Sequence, residues 1–145
     1  MYKIIKNKFQ EKKFHEAKKL AINYYKQNNK DYYICLILGE IFKKLKDYKN
    51  AEKYFILSIK LNNISSTILS LGNLYIQLKK YEKAIYNFNK IIKKDSKFTT
   101  ALNNLAFCYN KLGNQKKSIQ YLLEALKIEK KNDHLLHNLA NIYKS

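Results

Sequence analysis

The residues best equipped for chemistry in this chain are three histidines and two cysteines. His134 and His137, in the stretch HLLH, stand three apart and share one helix face, where two imidazoles could ligate a metal ion. That use needs a carboxylate or thiolate at ligand spacing beside the pair, and none stands there, so a surface histidine pair is the simpler reading. His15 is isolated. Cys35 and Cys108 lie 73 residues apart, without CxxC spacing, at positions that fall on apolar helix faces. They read as buried free thiols in a reducing compartment. No glycine-rich phosphate loop occurs, and the 11 acids are scattered among lysines rather than converging on a nucleophile and base. The expectation is a protein that is not an enzyme, with no metal and no cofactor.

Whatever these residues do depends on the elements that hold them. The chain has 145 residues, enough for a domain with a core of its own, and contains no proline, tryptophan, valine or arginine. Few residues are present that break a helix, and a chain without valine is a poor candidate for a sheet. The composition predicts an all-α protein. All 29 basic residues are lysines, giving a formal charge of +18. Such a charge suits a polyanion. Yet abundant Lys, Asn, Ile and Tyr beside scarce Arg, Pro, Val, Trp and Gly is what an AT-rich genome produces, which makes the charge partly a by-product on solvated faces. Missing arginine also removes the planar fork that suits phosphate and guanine. The opening MYKIIKNKFQEKKF has no apolar stretch of signal-peptide length, and no run approaches the ~18 apolar residues of a membrane span. A soluble, cytoplasmic protein with no membrane association is expected.

Small residues mark a period. Gly39, Gly72, Ala106 and Ala140 are spaced 33, 34 and 34 apart, each after a leucine and three before an aromatic. Glycine inside a helix costs about 1 kcal/mol relative to alanine, so a periodic column of small residues implies close packing. The same period aligns Tyr2, Cys35, Ile68, Leu102 and Leu136, then Ile5, Leu38, Leu71, Leu105 and Leu139, then Phe9, Phe42, Tyr75, Tyr109 and Tyr143. Within each unit these fall at i, i+3 and i+7, one face of a helix. A second helix carries Ala17, Ala51, Ala84 and Ser118, followed by Ala21, Phe55, Phe88 and Leu122. KDYKN, KKYEK and GNQKK between them are short, so neighbouring helices run antiparallel. Each small residue is expected to face an Ala or Ser of the second helix. About nine helices result: 2–11, 13–28, 32–45, 48–61, 66–79, 81–94, 99–112, 115–130 and 133–144.

The stretch LGNLYIQLKKYEKAIYNFNKIIKKD resembles a tetratricopeptide repeat (TPR), a helix-turn-helix unit with an L-G-x-x-Y…A-x-x-x-F pattern. The resemblance covers 1–145 as a single domain: a degenerate repeat at 1–31, full repeats at 32–64, 65–98 and 99–132, and a lone helix at 133–145. The family's proline after the second helix is absent, with Asn63, Ser96 and Lys130 near its place, and Lys6 occupies the small column of the first unit. The resemblance implies an α-solenoid of antiparallel helix pairs wound as a right-handed superhelix, with first helices lining the concave surface. It further implies a scaffold that binds a protein or peptide partner of unknown identity, through that groove or through the solenoid ends.

On the family's geometry the groove is lined by Tyr33, Ser66, Thr100 and His134, by Leu36, Leu69, Asn103 and His137, by Ile37, Ser70, Asn104 and Asn138, and by Glu40, Asn73, Phe107 and Asn141. It is apolar towards the N-terminus and amide-rich towards the C-terminus. Asn73, Asn104 and Asn138 match positions where the family pairs asparagine with peptide backbone, which its two donors and one acceptor allow. The carboxylate clamp of co-chaperone TPR domains is not completed in any register; Lys3 and Asn7 match it, but Ile37, Ser66 and Ser70 do not. A rival reading is RNA binding, with lysines on phosphates and Tyr54, Tyr86 and Tyr121 as exposed stacking surfaces; weak, non-specific binding is expected at most. A third is an N-terminal module of a longer transferase or scaffold. Finally, the last helix should cover the repeat before it through Leu135 and Ile142, leaving Leu136, Leu139, Ala140 and Tyr143 for a helix that does not follow. That end is expected to be covered by a second copy, as a homodimer about a two-fold axis, or by a different partner.

Overall fold

The computed structural model describes residues 1–144, and among them the chain folds into nine helices with no strand. Two compact units are distinguished, divided between Leu74 and Tyr75. The first contains α1 (Tyr2–Gln10), α2 (Phe14–Gln27), α3 (Tyr32–Lys44), α4 (Tyr48–Leu61) and most of α5 (Ser65–Gln77). The second contains the end of α5, α6 (Tyr81–Lys94), α7 (Thr99–Lys111), α8 (Gln115–Ile128) and α9 (Asp133–Tyr143). Within each unit, helices adjacent in sequence pack together, α3 on α4 and α7 on α8 most extensively.

The helices end up to two residues earlier than periodicity suggests, and the turns explain why. After α3, Lys46 enters the left-handed region at φ 61°. Its N–H then bonds the Lys43 carbonyl at 3.1 Å, while Asp47 N–H reaches the Phe42 carbonyl at 3.0 Å. This is a Schellman stop, which satisfies carbonyls the helix would leave unpaired. Lys12 (φ 58°), Lys79 (φ 57°) and Gly113 (φ 76°) repeat it after α1, α5 and α7. Hence α5 ends at Gln77 rather than 79, and Lys79 is a turn residue. Asp31, Asp47, Asn114 and Asn132 then cap α3, α4, α8 and α9 by accepting backbone N–H bonds.

The small column is filled in two ways. A Cβ on Gly39 would stand 2.5 Å from Cδ1 and Cε1 of the Phe55 ring, so an aromatic of α4 occupies the space, rather than the expected Ala or Ser. The reason is that helical side chains lean towards the N-terminus of their own helix, which carries the long Phe55 ring back over the crossing. In the repeat at 99–132 the expected pairing appears: Ser118 Oγ donates to the Ala106 carbonyl at 2.6 Å. The core of the second unit is closed by Leu102, Ala106, Leu122, Ala125, Leu135 and Ile142. Ser58, buried in the first unit, donates to the Tyr32 carbonyl at 2.8 Å.

Candidate functional site

In the first unit, α1, α3 and α5 turn side chains towards one hollow of about 260 Å³. Phe9, Tyr33, Leu36 and Ile37 make most of its lining, with Ser66 and Ser70 contributed by α5. Tyr33 is fixed from two sides. Asp31 holds the start of α3 by accepting from the Tyr33 and Ile34 N–H groups, and the Tyr33 ring meets Tyr2 edge-on at 5.2 Å. Lys6 Nζ lies 5.2 Å from the Tyr33 ring centroid, a cation–π contact. Glu40 also lines the hollow, and its carboxylate pairs with Lys43 at 2.6 Å. Of the columns read from sequence as groove, Tyr33, Leu36, Ile37, Ser66 and Ser70 line this hollow and Leu69 does not, while Phe9 joins them from a column expected to pack inward. Asn73 lies exposed on α5.

The second unit has a hollow of about 250 Å³ between α7 and the start of α9. Thr100, Asn103 and His134, taken from the expected columns, line it together with Thr99, Glu129 and Asn132, which periodicity did not single out. Here the amides are engaged with one another. Asn138 Nδ2 donates to Asn103 Oδ1 at 2.9 Å and lies 3.3 Å from His134 Nδ1. Glu129 accepts from the Thr99 hydroxyl and from Asn132 Nδ2, and these bonds hold its carboxyl below the usual range. The missed residues sit at helix ends, where a column pattern carries no information. The usable signal was Asn132 as a cap three residues after Glu129. Asn104 is half-buried and Asn141 exposed. Phe107 is 42% exposed, with the Tyr81 ring edge-on at 6.4 Å and Lys111 Nζ at 5.5 Å.

On α9, Leu135 and Ile142 are buried against the preceding repeat, while Leu136 (45% exposed), Ala140 and Tyr143 (65%) face outward. Leu139 lies between the two sides and packs partly on the core of its unit. Two of the three tyrosines expected as exposed stacking surfaces are half-buried against another ring. Tyr54 stacks on Phe42 at 5.4 Å and Tyr121 on Tyr109 at 5.6 Å, and burial pushes both phenols up. Each ring stacks on an aromatic of the first helix of its own repeat, a contact that adds to the burial of both rings. Tyr86 is exposed, with Lys90 Nζ 4.3 Å from its ring centroid. The thiols of Cys35 and Cys108 are free and fully buried, and burial pushes them to about 11 and about 12. Among the described residues no helix is long and apolar enough to cross a membrane.

The repeat geometry has counterparts among known proteins. A family model described as "Tetratricopeptide repeat" matches residues 32–64 and 99–132, and one described as "TPR repeat" matches 72–113. The chain belongs to the tetratricopeptide repeat family. It is similar to MamA from Desulfovibrio magneticus RS-1, with a TM-score of 0.87 at 17% identity over 97% of this chain and 80% of that one. It is also similar to YrrB, "a TPR protein with an unusual peptide-binding site", with a TM-score of 0.83 at 20% identity over 94% of this chain and 71% of that one. These likenesses show the fold: an all-α solenoid of antiparallel TPR helix pairs. Among curated proteins, the BBSome complex member BBS4 of Bos taurus is 29% identical over 118 residues, 79% of this chain. The chain spans 23% of the length of that relative.

Proposed function

We propose that this TPR chain is a non-enzymatic interaction module that takes a protein or peptide partner on its first-helix face. The observation that carries the reading is the hollow at Tyr33, Leu36 and Ile37, where α1, α3 and α5 leave an apolar concavity instead of closing over it. Family membership supports it, as do the peptide-binding site named for YrrB and the complex membership named for BBS4. Residues 1–145 are read as one domain of repeats at 1–31, 32–64, 65–98 and 99–132 plus the helix at 133–145, acting in the cytoplasm, alone or as a module of a longer scaffold or transferase. Groove contacts are assigned to Tyr33, Glu40, Asn73, Thr100, Asn103, Asn104, Phe107, His134, Asn138 and Asn141. Hydrogen exchange of the chain with and without a selected partner tests this. Protection on α3, α5 and α7 supports the face assignment, and protection confined to α4, α6 and α8 overturns it.

Helix α9 offers a second contact. Leu136, Ala140 and Tyr143 form an outward apolar stripe on α9, flanked by Leu139, and such stripes commonly mark interaction surfaces. We assign the stripe to a second copy of the chain. Concentration-dependent sedimentation that Leu136→Glu and Tyr143→Glu abolish supports that assignment. A monomer at all concentrations, unchanged by either substitution, removes it. Nucleic acid is the competing ligand class, on the strength of the Tyr86 ring beside Lys90 on α6.

A further inference from the structure

The hollow of the first unit also indicates the chemistry of what enters it, resting on the reading of the first-helix face as the binding surface. At about 260 Å³ it falls below the roughly 300 Å³ at which small-molecule and cofactor sites begin, and suits a single large side chain. Phe9, Tyr33, Leu36 and Ile37 present carbon to that side chain. The charge around them is one-sided. Helix α1 carries Lys3, Lys6 and Lys8 and no acid. Lys8 is paired with Glu16 at 2.8 Å, whereas among the described residues neither Lys3 nor Lys6 is in an ion pair. The acid lining the hollow, Glu40, is already neutralised by Lys43. A second copy of this chain, with 11 acids against 29 lysines, has few carboxylates to set beside an apolar anchor at this hollow. A nucleic acid satisfies the lysines but leaves the apolar lining unfilled.

We infer that the first-unit hollow captures an acidic peptide segment of another protein by one aromatic or large aliphatic side chain, with Lys6, which lines it, meeting a carboxylate beside that anchor and the other α1 lysines drawing the acidic segment in. The anchor supplies burial, and the lysines supply steering and orientation.

The test is selection of a displayed random dodecamer library on the full chain, followed by titration of the fluorescein-labelled consensus peptide. The expected consensus has a Phe, Tyr, Trp, Leu or Ile next to Asp or Glu. Replacing its apolar residue by alanine should weaken binding by about tenfold or more. Lys6→Glu, at an exposed position, should weaken it and lessen its salt dependence, and Leu36→Glu should abolish it while circular dichroism shows the helices intact. Selected peptides that lack the apolar–acidic pattern, or that bind both variants as tightly as the parent, overturn the inference. If those peptides instead lose binding with Phe107→Ser, the first-helix face stands and only the hollow's assignment falls. If selection returns no peptide at all, both fall.

Discussion

A methyl group placed on Gly39 would lie 2.5 Å from two carbons of the Phe55 ring, and Phe55 is wholly buried. The glycine is therefore required by its neighbour, although it sits inside a helix where alanine is intrinsically better by about 1 kcal/mol. Gly39→Ala sets these effects against each other. Moving a fully packed ring costs about 1–3 kcal/mol, so after the propensity gain the variant should lose up to about 2 kcal/mol net, read as a lower urea midpoint at unchanged slope. Equal or higher stability would mean that the ring yields freely.

The left-handed turns give substitutions of opposite sign. Lys46 holds φ 61°, where a side chain costs an L-residue roughly 1–2 kcal/mol. Glycine removes that strain but loosens the unfolded chain by about 0.4–1 kcal/mol, so Lys46→Gly should gain about 0.5–1 kcal/mol. Gly113 holds φ 76° and a methyl added there would meet nothing within 4 Å, so Gly113→Ala should lose stability by strain alone. Thermal melts of the two variants check the pair.

Asp47 makes a pH-dependent contribution at the start of α4. Its carboxylate accepts from Asn50 Nδ2 at 2.7 Å and Asn50 N–H at 3.2 Å, which holds its pKa below the usual value. A depressed folded-state pKa means that the stabilisation is present above the unfolded value of about 3.9 and is lost as pH falls through the folded one. Asp47→Ala should cost about 1 kcal/mol at neutral pH. The gap to the parent should close in denaturant titrations carried below that range.

Cys35 and Cys108, pushed to about 11 and about 12 by burial, should be inert to a thiol reagent in the folded chain at pH 8. Both should react at the rate of global opening, and at once in denaturant. Fast reaction of either thiol under native conditions would contradict its burial.

If the lysines mainly solvate outer faces, single-stranded RNA should bind weakly, without sequence preference, and lose affinity steeply with salt. Tyr86→Ala should weaken that binding modestly, since the ring beside Lys90 is exposed for stacking, whereas Tyr54→Ala should act through stability. Filter-binding across a salt series distinguishes these outcomes.

The periodicity of the chain was enough to determine the number of helices, their pairing and which column of each faces inward. That information is local: a spacing of 3.6 assigns every side chain to a face, and Leu38, Leu105, Phe55 and Phe88 are buried where their columns place them. The same logic identified Tyr33, Leu36, Ile37 and Ser70 as neighbours on the first-helix face. A face assignment specifies neither how far a side chain reaches nor what it meets. Only the folded chain decided that Phe55 rather than an alanine fills the space over Gly39, and that Tyr54 and Tyr121 turn inward to stack. It alone spent Asn103 and Asn138, 35 residues apart, on each other, and drew Glu129 to Thr99 across 30. These are distances between separate helices, set by packing and by the need of each polar group for a partner, and no repeat pattern encodes them.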